Sequence, residues 1–299
     1  MEADNLAGGR PAPKVADDSG TGFDPRYLAA KKSIDDRALN RHVWAALRQA
    51  LPQATGAAPA SIVEVGAGIG TMLARTVDWG LLSGPATYLA TDCDAGHLRL
   101  ARRYLGAWAE ERGHTLNWPE RQRGLLCTAQ AEMAVVLEAV RAEEMACRAE
   151  SAGTFHLLIA HAVLDLIDLP AVLPGLLSLL TDHGLAYLTC NFDGTTLFLP
   201  EHPGGEEQEI LRRYHASMEA RHAGASRTGR RLLTMLQGPG CELVAAGGSD
   251  WVIHPRDHAY TEDEALFLHA LVAGVEQELA SNSGPAPPGL AAWARSRHR

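Results

Sequence analysis

Short apolar runs alternate along this chain with longer stretches in which apolar residues recur at helical spacing. The apolar runs predict five strands: SIVEVG (61–66), TYLATD (87–92), GLLCT (124–128), FHLLIAH (155–161) and LAYLTCN (185–191). The stretches between them predict helices to about Trp79, over 95–112, from about Ala131 to Ala149, and near 170–181. Strands that alternate with helices predict an α/β fold with a doubly wound, mostly parallel sheet.

Further helices are predicted on either side of this alternation. A helix is expected over residues 24–50, because Asp24 can cap it and Pro25 can take its first position. After the fifth strand the pattern predicts helices over 205–221, 226–237 and 261–280, and a sixth strand at 241–247. The last helix opens with TEDE (261–264), which matches the capping-box pattern.

The same pattern divides the chain into four parts. Residues 1–22 lack periodicity and predict a disordered tail. We expect a helical lid over 23–55, followed by the main domain over 56–280, with a helical insertion at about 195–238 after strand five. Residues 281–299 predict a linker and a short basic C-terminal segment.

Composition and charge exclude several classes of function. The 299 residues carry 27 basic and 36 acidic side chains, a net charge of −9, and no dense basic stripe, which argues against a nucleic-acid partner. The longest apolar stretch, 157–180, is broken by charges and prolines, so no membrane span is expected. No signal peptide is visible in the first 25 residues, and the 5 cysteines are widely spaced without a CxxC pair. These features predict a cytoplasmic protein that binds neither nucleic acid nor a membrane.

A glycine-rich loop is the main chemical signal. In VEVGAGIG (63–70) a strand leads through Gly66, Gly68 and Gly70 into a helix, a turn in which side chains would block backbone contact with a ligand. A dinucleotide site needs the spacing G-x-G-x-x-G, whereas here the third glycine comes one residue early. Asp92, at the end of the next strand, can accept hydrogen bonds from ribose hydroxyls.

These residues resemble the first motif of class I S-adenosylmethionine-dependent methyltransferases, E/D-x-G-x-G-x-G with an acid at the end of strand two. The resemblance covers about residues 60–192 and implies a class I methyltransferase-like fold that binds S-adenosylmethionine and releases S-adenosylhomocysteine. It implies that Gly66 and Gly68 face the methionine part, that Asp92 holds the ribose, and that Glu64 orders the loop. The residues that it places around the cofactor are Glu64, Gly66, Ala67, Gly68, Gly70, Asp92, Cys93, His161, and, for the adenine after strand three, Ala129 and Gln130.

Residues after strand four are the candidates for catalysis, because parallel sheets bind ligands at the carboxyl ends of their strands. His161 is the candidate general base, since imidazole titrates near neutrality. Its alternative is a histidine packed beside the cofactor. Asp165 can pair with His161 or cap the helix before Pro170. Methyl transfer is an in-line displacement, so positioning alone can supply much of the rate.

Further polar and aromatic residues are candidates for acceptor binding, and each has a purely structural alternative. The candidates are Tyr27 and Lys31 on the first helix, Asn191 and Asp193 after strand five, Arg227 and Arg230 in SRTGR, and Trp251. For Tyr27 and Lys31 the alternative is plain helix packing, with Lys31 and Asp35 as a surface pair. For Asn191 and Asp193 it is a turn at the strand end. For Arg227 and Arg230 it is solvated charges at a helix start, and for Trp251 it is an aromatic residue at the sheet edge. Asp165, Asn191 and Asp193 imitate the magnesium ligands of catechol-type methyltransferases, but the acid and amide are not adjacent, so no metal is predicted.

The resulting hypothesis is methyl transfer to an O or N atom of a small-molecule acceptor. The acceptor's acidic group would face Arg227 or Arg230. The alternatives are an NAD(P)-dependent oxidoreductase, disfavoured by a glycine at 70 rather than 71, and a non-catalytic S-adenosylmethionine-binding protein. The antiparallel seventh strand of the family is either 250–255 or missing. If it is missing, an exposed sheet edge would favour a homodimer.

Overall fold

The computed structural model describes residues 24–202, 204–221, 225–237, 240–281 and 285–298. The predicted tail over 1–22 lies outside the described residues. The helices are α1 (Pro25–Ala38), α2 (Arg41–Thr55), α3 (Thr71–Asp78), α4 (Ala95–Glu111), α5 (Ala142–Ala146), α6 (Leu169–Ser178), α7 (Glu206–Arg221), α8 (Thr228–Met235), α9 (Glu262–Ser281) and α10 (Leu290–Arg297). The strands are β1 (Ala60–Val65), β2 (Ala86–Asp92), β3 (Thr115–Asn117), β4 (Arg123–Cys127), β5 (Glu132–Ala139), β6 (Phe155–His161) and β7 (Leu180–Thr189).

All seven strands form one sheet in the order β3-β4-β5-β2-β1-β6-β7. The five strands from β5 to β7 in this order run parallel to one another, whereas β3 and β4 are antiparallel and form one edge. Helices cover both faces, because apolar side chains on each face pack into a separate cluster. The predicted doubly wound, mostly parallel sheet is therefore confirmed. Among the described helices, none is both long and apolar enough to cross a membrane.

The third parallel strand differs from the prediction. The run 124–128 falls on β4, an antiparallel strand, while β5 occupies residues predicted to be a long helix. In β5 the side chains of Met133, Val135 and Leu137 are buried and alternate with more exposed neighbours, which is the period of a strand. The prediction was wrong because the alanines and glutamates of 131–149 favour a helix locally, whereas pairing with β2 buries the alternating apolar side chains.

The sixth strand predicted at 241–247 is not formed, and of the two possibilities for the seventh strand, 250–255 or none, the described residues show none. Residues 241–247 and 250–255 belong to neither a helix nor a paired strand, and the nearby pairing is a single bridge between Arg256 and Ala259. Within the described part of the chain, β7 is consequently an edge strand. The helices predicted over 205–221, 226–237 and 261–280 are confirmed as α7, α8 and α9, and the capping box is formed by Thr261 and Glu264.

The predicted N-terminal helix is divided into two. Leu39 leaves the helical conformation at the end of α1, and Asn40 then caps α2 by accepting hydrogen bonds from the backbone N–H groups of His42 and Val43. The second helix continues through Pro52 to Thr55, beyond the predicted end at residue 50. Asparagine is a strong N-cap residue, which explains why a new helix begins there.

A helical layer extends beyond the sheet. Helices α7, α9 and α10 share an apolar cluster that includes Ile210, Val275 and Trp293. Helix α1 packs on α9 through a second cluster that contains Tyr27 and Phe267. The predicted basic C-terminal segment is therefore largely a helix that contributes a fully buried tryptophan to this layer.

Candidate functional site

The glycine loop connects β1 to α3 at the carboxyl edge of the sheet. Gly66, Gly68 and Gly70 have φ values of 72°, 55° and 83°, in the left-handed region that favours glycine. A Cβ on Gly66 would lie 2.7 Å from Val163 Cγ2, so this glycine is also required by close packing with the chain after β6. Both the backbone conformation and the packing thus require the glycines that the sequence placed here.

Asp92 ties the end of β2 to this loop. Its Oδ2 accepts a hydrogen bond from the Gly68 N–H at 2.8 Å, and its Oδ1 accepts one from the Asp94 N–H at 2.8 Å. His97 Nδ1 lies 3.4 Å from Oδ1. An ionised carboxylate offers about four lone pairs, so these contacts leave acceptor capacity at the strand end. A carboxylate beside a glycine loop fits the ribose and methionine parts of S-adenosylmethionine.

Glu64 is a buried carboxyl group behind the loop. Its side chain is on β1 and accepts a hydrogen bond from Tyr88 Oη on β2 at 2.7 Å. Burial raises the pKa of Glu64 to about 7, although the Tyr88 hydrogen bond and the nearby Arg75 oppose the increase. The hydrogen bond between Tyr88 and Glu64 therefore joins β2 to β1. That Glu64 orders the glycine loop stays a prediction.

A charged cluster lies between α1 and the ends of β6 and β7, and we refer to Lys31, Asp35, Arg75, His161 and Trp251 as the α1 cluster. The Asp35 carboxylate is at its centre. Lys31 Nζ donates to Asp35 Oδ2 at 2.5 Å, and Trp251 Nε1 donates to Oδ1 at 3.0 Å. Burial alone would raise the pKa of Asp35, but Lys31, His161 and Arg75 together hold it below its usual value. Asp35 is therefore an ionised, buried carboxylate.

His161 bridges this cluster to β7. Its Nε2 lies 3.2 Å from Asp35 Oδ2, and its Nδ1 lies 2.6 Å from Thr189 Oγ1. Burial lowers the pKa of His161 to about 4, with Asp35 opposing the decrease and Lys31 and Arg75 adding to it. The imidazole is consequently neutral at pH 7. The expectation that it titrates near neutrality, which rested on free imidazole, is corrected by its burial.

The α1 cluster is adjacent to the glycine loop. Val65 on β1 pairs with Ala160 on β6, so Gly66 and His161 follow at equivalent positions on neighbouring parallel strands. On the other side of the loop, Leu28 Cδ1 of α1 would be 3.6 Å from a Cβ on Gly68. Helix α1 thus contacts both the loop and His161, and its role as a lid stays a prediction.

Several predicted acceptor residues meet in this cluster. Lys31 and Asp35 are buried, with side-chain exposures of 7% and 5%, so they do not form a surface pair. Tyr27 is buried and stacks on Phe267, and Trp251 packs edge-on against the same ring rather than at a sheet edge. Asp165, in the turn after β6, is close enough to influence the pKa of Lys31. The residue that caps α6 is Asp168.

The other predicted acceptor residues follow β7 or lie at the start of α8. Arg230 Nε donates to Asp193 Oδ2 at 2.8 Å, so this arginine already holds a carboxylate of the chain itself. Arg227 is exposed at the start of α8, and Asn191 is half-buried just after β7. Within the described residues, no group of three or more His, Cys, Asp and Glu side chains could hold a metal ion.

The expected adenine contacts of Ala129 and Gln130 are wrong. Both residues lie in the turn between β4 and β5, ahead of the first residue of β5. Strand β5 runs parallel to β2, with Met133 paired to Ala86 and Ala139 paired to Asp92. The turn before Met133 is therefore at the other end of the strands from Asp92. At about 3.3 Å per residue the separation is about 20 Å. The segment that follows the third parallel strand is 140–141, where the Val140 N–H donates to the Asp92 carbonyl.

Ala67 is part of the glycine loop, and Cys93 directly follows β2. Cys93 is exposed directly after Asp92, and the Ala67 N–H donates to the Thr91 carbonyl at 2.8 Å. Three residues of the site were missed: Asp35 as its central anion, Arg75 and Thr189. Helical spacing pairs Asp35 with Lys31, which was a usable signal. Nothing in the sequence connects Thr189 to His161, because strand register places them together.

Comparison with known proteins gives structural matches. Neither protein-family models nor curated protein sequences match the chain. Among solved structures, it resembles the plantazolicin methyltransferase BamL in complex with a triazolic desmethylPZN analog and SAH, with 15% identity over 71% of this chain and 64% of that one, TM-score 0.39. It also resembles the DszA carbon methyltransferase (19%, 43% and 28%, TM-score 0.29) and the bifunctional kinase-methyltransferase WbdD (20%, 46% and 25%, TM-score 0.29).

All three are methyltransferases. The matched region of this chain spans less than two thirds of the length of each of them. Their TM-scores lie below 0.5, so the residues of the site, rather than these matches, carry the functional conclusion.

Proposed function

We propose that the protein transfers a methyl group from S-adenosylmethionine to an O or N atom of a small-molecule acceptor. The observation that carries this proposal is the glycine loop between β1 and α3, whose Gly68 N–H is held by Asp92 at the end of β2. Three left-handed glycines at this spacing bring no Cβ atoms of their own to the loop backbone. The neighbouring carboxylate supplies an acceptor for hydroxyl groups.

Residues around the loop would hold the cofactor. Asp92 would accept hydrogen bonds from the ribose, the backbone at Gly66 and Gly68 would face the methionine part, and Cys93 would lie beside the nucleoside. The segment 140–141 would replace Ala129 and Gln130 as the part of the chain beside the adenine. When bound, S-adenosylmethionine supplies a methyl group on a positively charged sulfur, which is open to direct attack by a nucleophile.

The protein's own contribution would be mainly positioning. The acceptor would lie at the carboxyl ends of β6 and β7, close to His161, Thr189 and Asn191. Helix α1 would exclude water by covering the loop, and a fixed approach of the attacking atom lowers the entropic part of the barrier. His161 is neutral at pH 7 and can accept the acceptor's proton. For an acidic group on the acceptor, Arg227 is the better candidate, since Arg230 is already paired with Asp193.

Calorimetric titration with S-adenosylmethionine, S-adenosylhomocysteine and NADH tests the cofactor assignment. We expect micromolar binding of the first two and no binding of NADH. Binding of NADH alone would favour the oxidoreductase, and failure of folded, ligand-free protein to bind either sulfur compound would refute the proposal. An acceptor screen by mass spectrometry then separates an enzyme from a binding protein, since only an enzyme converts the bound cofactor.

Variants of Asp92 give a sharper test of the site. Asp92→Ala removes a buried acceptor, so we expect S-adenosylhomocysteine affinity to fall by about 1–3 kcal/mol, or about 5- to 150-fold. Asp92→Asn keeps the shape and should lose less. Asp182→Asn is the matched control, because Asp182 is exposed at the far end of β7. Unchanged affinity in Asp92→Ala would remove the ribose assignment.

A further inference from the structure

A continuous series of hydrogen-bonded polar groups, here called the proton chain, leads from the α1 cluster to the Thr189 hydroxyl on β7. Thr189 Oγ1, the two ring nitrogens of His161 and Asp35 Oδ2 follow one another at distances of 2.6 Å and 3.2 Å. Each member comes from a different element: β7, β6 and α1. The arrangement is therefore a product of the tertiary structure, and its geometry determines which groups donate.

The charge on Asp35 determines which nitrogen of His161 carries the proton. The carboxylate is ionised and can only accept hydrogen bonds, so the proton between it and His161 belongs to Nε2. Arg75 Nη1 lies farther from Nε2, at 3.5 Å, and is the weaker competitor for that nitrogen. With Nε2 protonated in a neutral ring, Nδ1 has a free lone pair and accepts the hydrogen bond from the Thr189 hydroxyl. The basic nitrogen of His161 therefore points toward β7.

The Thr189 hydroxyl occupies the basic nitrogen of His161. The side chains of Asp35 and His161 are only 5% and 9% exposed, and Thr189 is partly buried at the end of β7, next to Cys190 and Asn191. Because Nδ1 is already bound to the Thr189 hydroxyl at 2.6 Å, a proton from a molecule at the carboxyl edge of the sheet reaches that nitrogen through the hydroxyl group. Ala162, directly after His161, has a φ of 58°, a left-handed conformation that is unfavourable for alanine and clusters at functional sites.

We propose that Thr189, His161 and Asp35 form a proton-accepting chain in which the Thr189 hydroxyl receives the acceptor's proton. This inference rests on the proposed methyl transfer. The O–H or N–H bond of the acceptor breaks as an O–H bond forms at Thr189, and the original Thr189 proton moves to His161 Nδ1. The acceptor's electron pair enters its new bond to the methyl carbon, and the sulfur keeps the pair of the bond that breaks. Before the transfer the positive charge is on the sulfonium of the cofactor. After the transfer it is on the His161 imidazolium, beside Asp35.

The proton chain of Thr189, His161 and Asp35 also restricts which compounds can accept the methyl group. Such a chain is useful only if the attacking atom carries a hydrogen, so the acceptor is a hydroxyl or N–H compound rather than a tertiary amine or a thioether. A weakly basic imidazole suffices, because a hydroxyl becomes strongly acidic as it gains the methyl group. Asp35 acts through His161 and is a positioning residue.

Nitrogen NMR of the full-length, ¹⁵N-labelled protein tests the chain without any substrate. His161 is assigned by its loss in His161→Gln, and we expect the Nε2–H tautomer at about pH 7. Thr189→Val should move the Nδ1 resonance by removing its hydrogen-bond donor, and Thr189→Ser should restore it. Thr181→Val, on the same strand, is the matched control, since the Thr181 hydroxyl has no hydrogen-bond partner among the described residues. An Nδ1–H tautomer in the unmodified protein, or an Nδ1 signal unmoved by Thr189→Val, would overturn the proposal.

Turnover provides the second readout, with an acceptor found in the screen. Thr189→Val should lower kcat by on the order of 10²-fold, as expected for loss of a proton acceptor, and Thr189→Ser should retain most activity. S-adenosylhomocysteine binding should be unchanged in both. If the unmodified protein does not bind S-adenosylhomocysteine, the methyl-transfer function itself is contradicted. If Thr189→Val binds it normally and its turnover is undiminished, only the proton chain is contradicted.

Discussion

Glu64 illustrates how a single residue can couple the site to pH. The carboxyl group is 1% exposed, and its hydrogen bond from Tyr88 stabilises the ionised form only in part. Burial therefore prevails and raises the pKa to about 7, against an ordinary value of 4.5. Such a group is more stable in the fold when protonated, so ionisation at higher pH costs stability.

Replacement of Glu64 by Gln should remove this pH dependence. The stabilising contribution of Glu64 is fully present below about pH 4.5 and is lost as the pH rises through about 7, a change of at most about 3 kcal/mol. The unfolding free energy of Glu64→Gln should thus shift upward relative to the unmodified protein over that range, as measured by urea denaturation at several pH values. Glu120→Gln, whose carboxylate is 68% exposed, is the control. Parallel stability curves for the variant and the unmodified protein would show that Glu64 ionises normally.

At the level of elements, the corner between α1 and α2 fixes α1 to the rest of the molecule. Asn40 Oδ1 accepts hydrogen bonds from His42 and Val43, which begins α2. Its Nδ2 donates to the Gly248 carbonyl at 2.9 Å, and its backbone N–H donates to Ser249 Oγ. The same residue thus starts a helix and holds the segment that carries Trp251 into the α1 cluster.

Two substitutions separate these roles of Asn40. Asn40→Ala loses both the cap and the bond to Gly248, and should lower the unfolding free energy by about 2 kcal/mol. Asn40→Asp keeps the cap but cannot donate to the carbonyl, so about half of that loss is expected. Chemical denaturation measures both, and hydrogen exchange at residues 249–251 should increase in each variant. Equal stability of all three proteins would mean that Asn40 does not tie the elements together.

At the scale of the whole molecule, the helical layer of α7, α9 and α10 supports α1, which the sheet alone does not hold in place. Trp293 of α10 is fully buried and donates from Nε1 to Glu207 Oε1 at 2.7 Å, and Arg297 donates to the same oxygen. Through the contacts of α10 with α7 and α9, and of α9 with α1, this layer supports the helix that contacts the glycine loop. The C-terminal residues are therefore part of the structure behind the site.

Truncation of Trp293 should destabilise this layer. Trp293→Ala creates a cavity and leaves a buried carboxylate without one of its donors, for an expected loss of about 3–5 kcal/mol. Trp293→Phe fills much of the cavity and should lose less, and Arg295→Ala, an exposed neighbour on α10, should be neutral. Urea denaturation followed by circular dichroism gives these values. A loss below about 1 kcal/mol in Trp293→Ala would contradict the structural role of α10.

The sequence by itself determined the fold class and the cofactor loop. Short apolar runs between amphipathic helices can bury their side chains only in a layered α/β sheet, and Gly66, Gly68 and Gly70 report a backbone conformation that few other residues adopt. Asp92 at a strand end follows from the same local pattern. Each of these inferences depends on residues close together in the chain, where spacing and propensity act directly.

The tertiary structure alone decided which distant residues meet. Residues 132–139 form a strand because pairing with β2 outweighs their helical preference, and this pairing carries Ala129 and Gln130 to the wrong edge of the sheet for an adenine contact. Likewise, register sets Thr189 beside His161, burial beneath α1 makes that imidazole neutral, and the contacts with Lys31, His161 and Arg75 keep Asp35 ionised. Pairing register and desolvation depend on groups far apart in sequence, which is why the pattern along the chain could not reveal them.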